Sequence, residues 1–363
     1  MDRHSRQAFV FCLSVCLVLA GSCDSQESVE QTVKTQTASP VPSPSVSPTS
    51  IPTPTSTPWP TRIPQENSNC PAGGWTLFSK EDELAESHIK SIAAGPDGVI
   101  WAADYYGKIY WLYDGSWSTL PLDPIPIINV ILPLETGGIW VGTQGGQVSL
   151  IDGYDRMWTS RVVPMEKGGT AVYDLAISPR GHLWAATWDG LFELWGEDWS
   201  RIPNPVPEYV ALYSPKSLYF DQKGGLWVGA RHSFNYYFQG GWSGLSEGLP
   251  ELVNTEDIVE DSDGRLWFGT LTGAFVYDGE TWERIYPVEE VPHGILQVES
   301  LAVDHEGGVW LVSSQETVVY QDGSWQPVLP DVGSPELSIS SVEVDPWGAL
   351  WFVSSEGVLC YLP

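Results

Sequence analysis

Several short stretches of this chain set aromatic rings beside carboxylate, amide or guanidinium groups. A site for a sugar or peptide uses that combination, an apolar platform with a few directional polar contacts. Asp104-Tyr105-Tyr106, Trp188-Asp189 and Arg231-His232, followed by Phe234 and Asn235, are the clearest cases. They supply the candidate ligand-binding residues Asp104, Tyr105, Tyr106, Trp188, Asp189, Arg231 and His232. Gln144, Leu271-Thr272, Gln315-Glu316 and Glu356 stand at comparable places. Histidine could add acid–base or metal chemistry. His88, His232 and His293 fall near these clusters, but they come from distant points of the chain with no ligand-like spacing. Asp-rich turns such as Asp261-Ser262-Asp263-Gly264 lack the twelve-residue ligand series and closing Glu of a calcium loop. There is no nucleophile elbow, phosphate loop, CxxC pair or HExxH. No catalytic residue, metal ligand or cofactor is expected.

A repeat decides where these clusters stand. A Gly, one variable residue, an aliphatic residue and a Trp recur as GVIW, GGIW, GHLW, GGLW, GRLW, GGVW and GALW, ending at Trp101, Trp140, Trp184, Trp227, Trp267, Trp310 and Trp351. The period is close to 40 residues, that of a propeller blade. Each unit has an aliphatic strand, a turn ending at the Gly, the Trp strand with small residues (WVGT, WAAT, WFGT), a third strand, a turn like YDGSW, and a second Trp that opens a fourth strand. The expected fold is all-β: a seven-bladed β-propeller with four antiparallel strands per blade. Fourteen of the 19 Trp are then repeat positions that pack blade against blade. Trp59, Trp111, Trp188, Trp195 and Trp347 are left over, and of these only Trp188 falls on the face formed by second-to-third-strand loops and blade connections, where propellers usually hold ligands. His182 and His305 fall on the opposite face.

Trp117, Trp158, Trp199, Trp242, Trp282 and Trp325 serve as fourth-strand Trp for blades one to six, and the chain ends before blade seven supplies its own. Gly73-Gly74-Trp75 matches Asp322-Gly323-Ser324-Trp325, so the N-terminal strand around Trp75 is expected to complete the last blade and remove two exposed edges. Sliding Trp75 onto Trp325 brings Cys70 to the level of Tyr361, next to Cys360, which predicts a disulfide between Cys70 and Cys360.

Residues 1–22 read as an export signal: Arg3 and Arg6, then an apolar run from Ala8 too short to span a bilayer. Residues 23–69 read as a Ser/Thr/Pro-rich extended tether, and 70–363 as the propeller. The formal charge of −29, from 46 acidic against 17 basic residues with no Lys/Arg cluster, excludes nucleic acid as a partner.

Ala20-Gly21-Ser22-Cys23 resembles the lipobox of bacterial lipoproteins, which implies lipidation of Cys23 and a cell-envelope, extracytoplasmic location; the alternative is a secreted product. The unit aliphatic-x-x-D-x-x-G-x-L-W-[VF]-G-T…G…Y-D-G-x-x-W, best seen from Asp261 to Trp282, resembles the two-component regulator propeller repeat. That resemblance covers residues 74–363 and implies the extracytoplasmic sensor part of a signalling system, with external ligands such as glycan fragments. No kinase, second membrane span or DNA-binding region accompanies it, so sensing would need a separate membrane partner. Ser233 and Glu316 depart from the repeat where Gly107, Gly146, Gly190, Gly273 and Gly357 occur. The unit is also similar to that of streptogramin lyases, which keeps an enzyme open. The expectation is a monomeric, surface-tethered module binding a small-molecule, glycan or protein ligand; a lyase-like enzyme and a structural interaction platform are the alternatives.

Overall fold

The β-branched and aromatic runs of the repeat form strands throughout. In the computed structural model, which describes residues 67–82, 84, 88–120, 125, 127–152, 157–165, 171–203, 214–231, 233–244, 254–286, 297–313, 315–333 and 337–362, twenty-eight strands make seven four-stranded antiparallel sheets. The expected signal over residues 1–22, Cys23 and Trp59 lie outside the described residues, as do His232 and His293. Among the described residues no helix is long and apolar enough to cross a membrane.

The first strands of the blades touch one another in a closed circuit around a central axis. The second strand of each blade is covered on both faces by neighbouring blades, so it reads as a continuous apolar run instead of an alternating one. All of Leu266–Thr270 is buried, for example. Blades approach so closely there that a Cβ on Gly269 would meet Val298 Cγ1 at 2.7 Å, which accounts for the small residue in WFGT. Seven apolar clusters fill the seven interfaces between blades. In four of them a second-strand Trp reaches the aromatics of the next blade: Trp184 meets Tyr237, Trp227 meets Tyr277, Trp267 meets Tyr320 and Trp310 meets Phe352, with ring centroids 5.3–5.8 Å apart. Six of the seven second-strand Trp are buried and Trp140 is half-buried; among the fourth-strand Trp, Trp117 is buried and Trp75, Trp199, Trp242, Trp282 and Trp325 are half-buried.

Gly74–Phe78 is the outer strand of blade seven, in register Trp75↔Tyr361 and Thr76↔Cys360. The Trp75–Tyr361 rings lie 4.8 Å apart, and Trp325 meets Tyr320 in blade six at 5.0 Å, so Trp75 occupies the predicted repeat place. Cys70 and Cys360 form a disulfide, with Cα atoms 5.8 Å apart.

Candidate functional site

The second-to-third-strand turns stand beside the starts of the inner strands. The turn N–H groups of Tyr105, Gln144, Trp188, Leu271 and Ser355 donate to carbonyls of His88, Ile127, Ala171, Asn254 and Ser338, just before those strands. Five blades thus carry their turns on the rim of one channel mouth. Each turn is closed from within by the last residue of the second strand. Thr187 Oγ1 donates to Gly190 O at 2.7 Å and accepts from Asp189 N–H, and Thr270 does the same with Gly273 and Thr272.

The predicted residues divide on this frame. Tyr105, Tyr106 and Trp188 are exposed, at 54%, 68% and 51%. Asp104 is buried beneath the two tyrosines: its Oδ1 accepts from Tyr106 N–H and Lys108 N–H, and its Oδ2 from Tyr110 Oη at 2.9 Å. Asp189 is buried too, paired with Arg201 of its own outer strand at 3.2 Å. Both carboxylates hold turns that present the rings. Arg231 is exposed and bridges through its backbone to Asn254. Phe234 and Asn235 lie inside the sheet instead of on its surface, and Phe234 stacks on Trp282 at 4.6 Å. His88, Gln144, Gln315 and Glu356 are exposed at the rim, and Leu271, Thr272 and Glu316 are half-buried.

The innermost ring of this face consists of residues that the loop clusters did not reveal. At the start of successive inner strands stand Lys90, Asn129, Tyr173, Lys216, Glu256, Glu299 and Ser340, Lys216 directly before its strand and each of the others second in its own. Lys90 donates to Asn129 Oδ1, while the Asn129 amide donates to Val172 O at 2.8 Å and to Gln144 Oε1 at 3.1 Å. The Lys216 ammonium sits over the Tyr173 ring at 4.1 Å, and that of Lys90 faces Tyr105 at 5.7 Å. Burial and the nearby Lys216 charge lower the Lys90 pKa. Burial raises the Glu256 and Glu299 carboxyls, Glu256 against the pull of Lys216 and Glu299 with the added push of Glu256.

One step deeper, inner-strand side chains clasp the neighbouring blade. Asp174 Oδ2 accepts from Leu218 N–H at 2.7 Å, Asp257 Oδ2 from Leu301 N–H at 2.8 Å, and Ser300 Oγ from Val342 N–H at 3.2 Å. Burial pushes Asp174 up to about 7, Asp257 to about 6 and Glu343 to about 8. These three keep some accessible surface, though protein surrounds them.

On the opposite face the Asp of D-x-x-G-x-L-W has a structural task. Asp221, Asp261, Asp304 and Asp345 each accept backbone N–H groups of their own turn on Oδ1 and a Trp indole N–H, six residues on, through Oδ2 at 2.7–3.1 Å. His182 is held by Glu193 at 2.8 Å and lies against Trp195 on this same side. The chain also joins the propeller there. Ser68 donates to Asp345 Oδ2, and Asn69 is buried, donating to Gly98 O at 2.8 Å and accepting from Gly115 N–H at 3.0 Å.

Residues 248–272 match the two component regulator propeller family. No curated protein matches the chain in sequence. Among solved structures, a catalytically inactive virginiamycin B lyase from Staphylococcus aureus with quinupristin has a TM-score of 0.64 at 12% identity, covering 80% of this chain and 99% of its own. The extracellular domain of a putative hybrid two component system from B. thetaiotaomicron has a TM-score of 0.65 at 19% identity, over 82% of this chain and 42% of that one. That of a putative one component system from the same organism scores 0.61 at 18% identity, over 79% and 39%. This chain spans about two fifths of the length of the latter two proteins. At such identities the likeness is one of fold.

Proposed function

We propose that this propeller is a surface-tethered, extracytoplasmic ligand-binding or sensory module without catalysis of its own, and that its ligand sits at the channel mouth on the face of the second-to-third-strand turns. The observation that carries the reading is the group of exposed rings, Tyr105, Tyr106 and Trp188, set on turns whose own polar groups are bonded from within. Large exposed aromatics held in place lose little entropy on binding, which is what a recognition surface needs. The family match supports the same reading, as does the likeness to extracellular domains of putative two component systems.

Lipidation at Cys23 would anchor the protein, and residues up to about 69 would serve as its tether. Ser68 and Asn69 attach on the face opposite the aromatic rim, so a tethered propeller would turn that rim away from the membrane. Transmission of a signal would then fall to a separate membrane protein. The test is thermal-shift screening of the full chain against oligosaccharides and short peptides. Compounds that stabilise the wild type should fail on Trp188→Ala and Arg231→Ala variants of unchanged unliganded Tm. Undiminished stabilisation of both variants would refute the site.

A further inference from the structure

The channel mouth carries its charge as two pairs of like sign. Lys90 and Lys216 stand three blades apart, across the mouth from each other, with Asn129 and Tyr173 between them in blade order, and Glu256 and Glu299 follow Lys216 in the next two blades. The ion pairs among the described residues are made by Arg161, His182, Arg201 and Arg265. Neither rim lysine takes part, although the chain has 46 acidic residues against 17 basic ones. The two half-buried ammonium groups repel each other and so do the two half-buried carboxylates, and the attraction between Lys216 and Glu256 in adjacent blades offsets part of this. The remainder is a cost that countercharges would remove. An anion alone would satisfy the lysines and face the glutamates, and a cation alone would do the reverse. A molecule with both charges settles both pairs together.

We propose that this mouth binds a small zwitterion, a free amino acid or short peptide, with its carboxylate held between Lys90 and Lys216 and its ammonium at Glu256 and Glu299. The proposal rests on the reading of the mouth as the ligand site and names the ligand class for it. The cationic pair is already set: Asn129, fixed on Val172 O, holds the Lys90 ammonium, and the Tyr173 ring lies under that of Lys216. Groups positioned in advance leave little to reorganise on binding. Tyr105, next to Lys90, offers a ring to the ligand's side chain.

Isothermal titration calorimetry of the full chain tests this with the twenty free amino acids and a set of dipeptides, each beside its N-acetylated and C-amidated form. At least one unblocked compound should bind, and blocking either end should weaken it by about tenfold or more, the loss of one charge-assisted contact. Lys216→Gln should make the free acid and the amide bind alike, and Glu256→Gln should do so for the free and acetylated amine. Lys90→Gln and Glu299→Gln give the same readouts should either first variant fail to fold. Equal binding of blocked and unblocked forms to the wild type would overturn the proposal. So would binding of neutral oligosaccharides but of no zwitterion; loss of that binding in Trp188→Ala would leave the ligand site itself standing. Silence toward every compound would sink both.

Discussion

Cys70 and Cys360 are bonded across a sequence separation of 290 residues, so one covalent bond closes nearly the whole propeller on the seam between its first and last strands. Loop-closure entropy gives such a bond about 5 to 6 kcal/mol at most, less whatever structure the unfolded chain retains. The double variant Cys70→Ser/Cys360→Ser should still fold, because Gly74–Phe78 keeps its pairing with Gly357–Leu362. We expect its Tm to drop by roughly 5 to 15 °C and hydrogen exchange to rise first in blade seven. An unchanged Tm would show that strand pairing alone seals the ring.

Asp261 joins four donors at one carboxylate: Oδ1 accepts from the N–H of Asp263 and of Arg265, and Oδ2 from Arg265 Nε and Trp267 Nε1. Asp261→Ala strands a fully buried indole N–H and opens a turn, which should cost about 2 to 4 kcal/mol by urea denaturation. Asp261→Asn, which keeps the shape and one acceptor, should cost clearly less. Equal losses would place the effect in packing instead of hydrogen bonding.

The same repeat has a flaw in blade three that can be mended. Trp184 Nε1 is buried with no hydrogen-bond partner, and Ser178 stands six residues before it, where blades four to seven have Asp. Ser178 Oγ already accepts from His182 N–H, the bond that Asp Oδ1 makes elsewhere. Ser178→Asp should therefore satisfy the indole and raise stability by about 1 kcal/mol. A lowered Tm would mean that the local backbone differs from that of blade five.

The ladder of Gly-x-aliphatic-Trp units made the fold legible because each Trp does the same packing in every blade, so the sequence repeats what the structure repeats. Closure was legible for the same reason, Trp75 being the one Trp that fits a vacant repeat place. The site was harder to read because function lies where the repeat varies. Asp104 looked like a ligand residue, yet it stands at the end of a second strand, where Thr143, Thr187, Thr270, Ser313 and Ser354 stand in other blades, and it holds a turn as Thr187 does. Phe234 and Asn235 fall within a third strand and so face inward. The rim lysines and glutamates hid inside IKSI, PKSL, TEDI and VESL, which read simply as inner strands. Aligning the starts of the seven inner strands, IKSI on PKSL, and noting that the second place of each such run reads Lys, Asn, Tyr, Lys, Glu, Glu, Ser would have exposed the ring.

Glu343 occupies the inner-strand place held elsewhere by Ala93, Leu132, Ala176, Tyr219, Val259 and Ala302, and burial together with the Asp257 and Asp174 charges holds its carboxyl at about 8. A group raised from 4.5 to about 8 binds a proton in the folded chain that the unfolded chain has already released. Stability therefore declines as pH rises across that window, and Asp174 and Asp257, also raised by burial, act in the same direction at its lower end. The net charge of −29 adds a general repulsion of the same sign, but salt screens exposed charges far more than enclosed ones. In about 0.5 M salt, Tm should therefore still decline from pH 5 to pH 8. Glu343→Gln cannot ionise, so its Tm should match the wild type near pH 5 and exceed it at pH 8, flattening the slope. A variant whose slope equals that of the wild type would show that Glu343 ionises freely into the channel and that the pH response belongs to the surface.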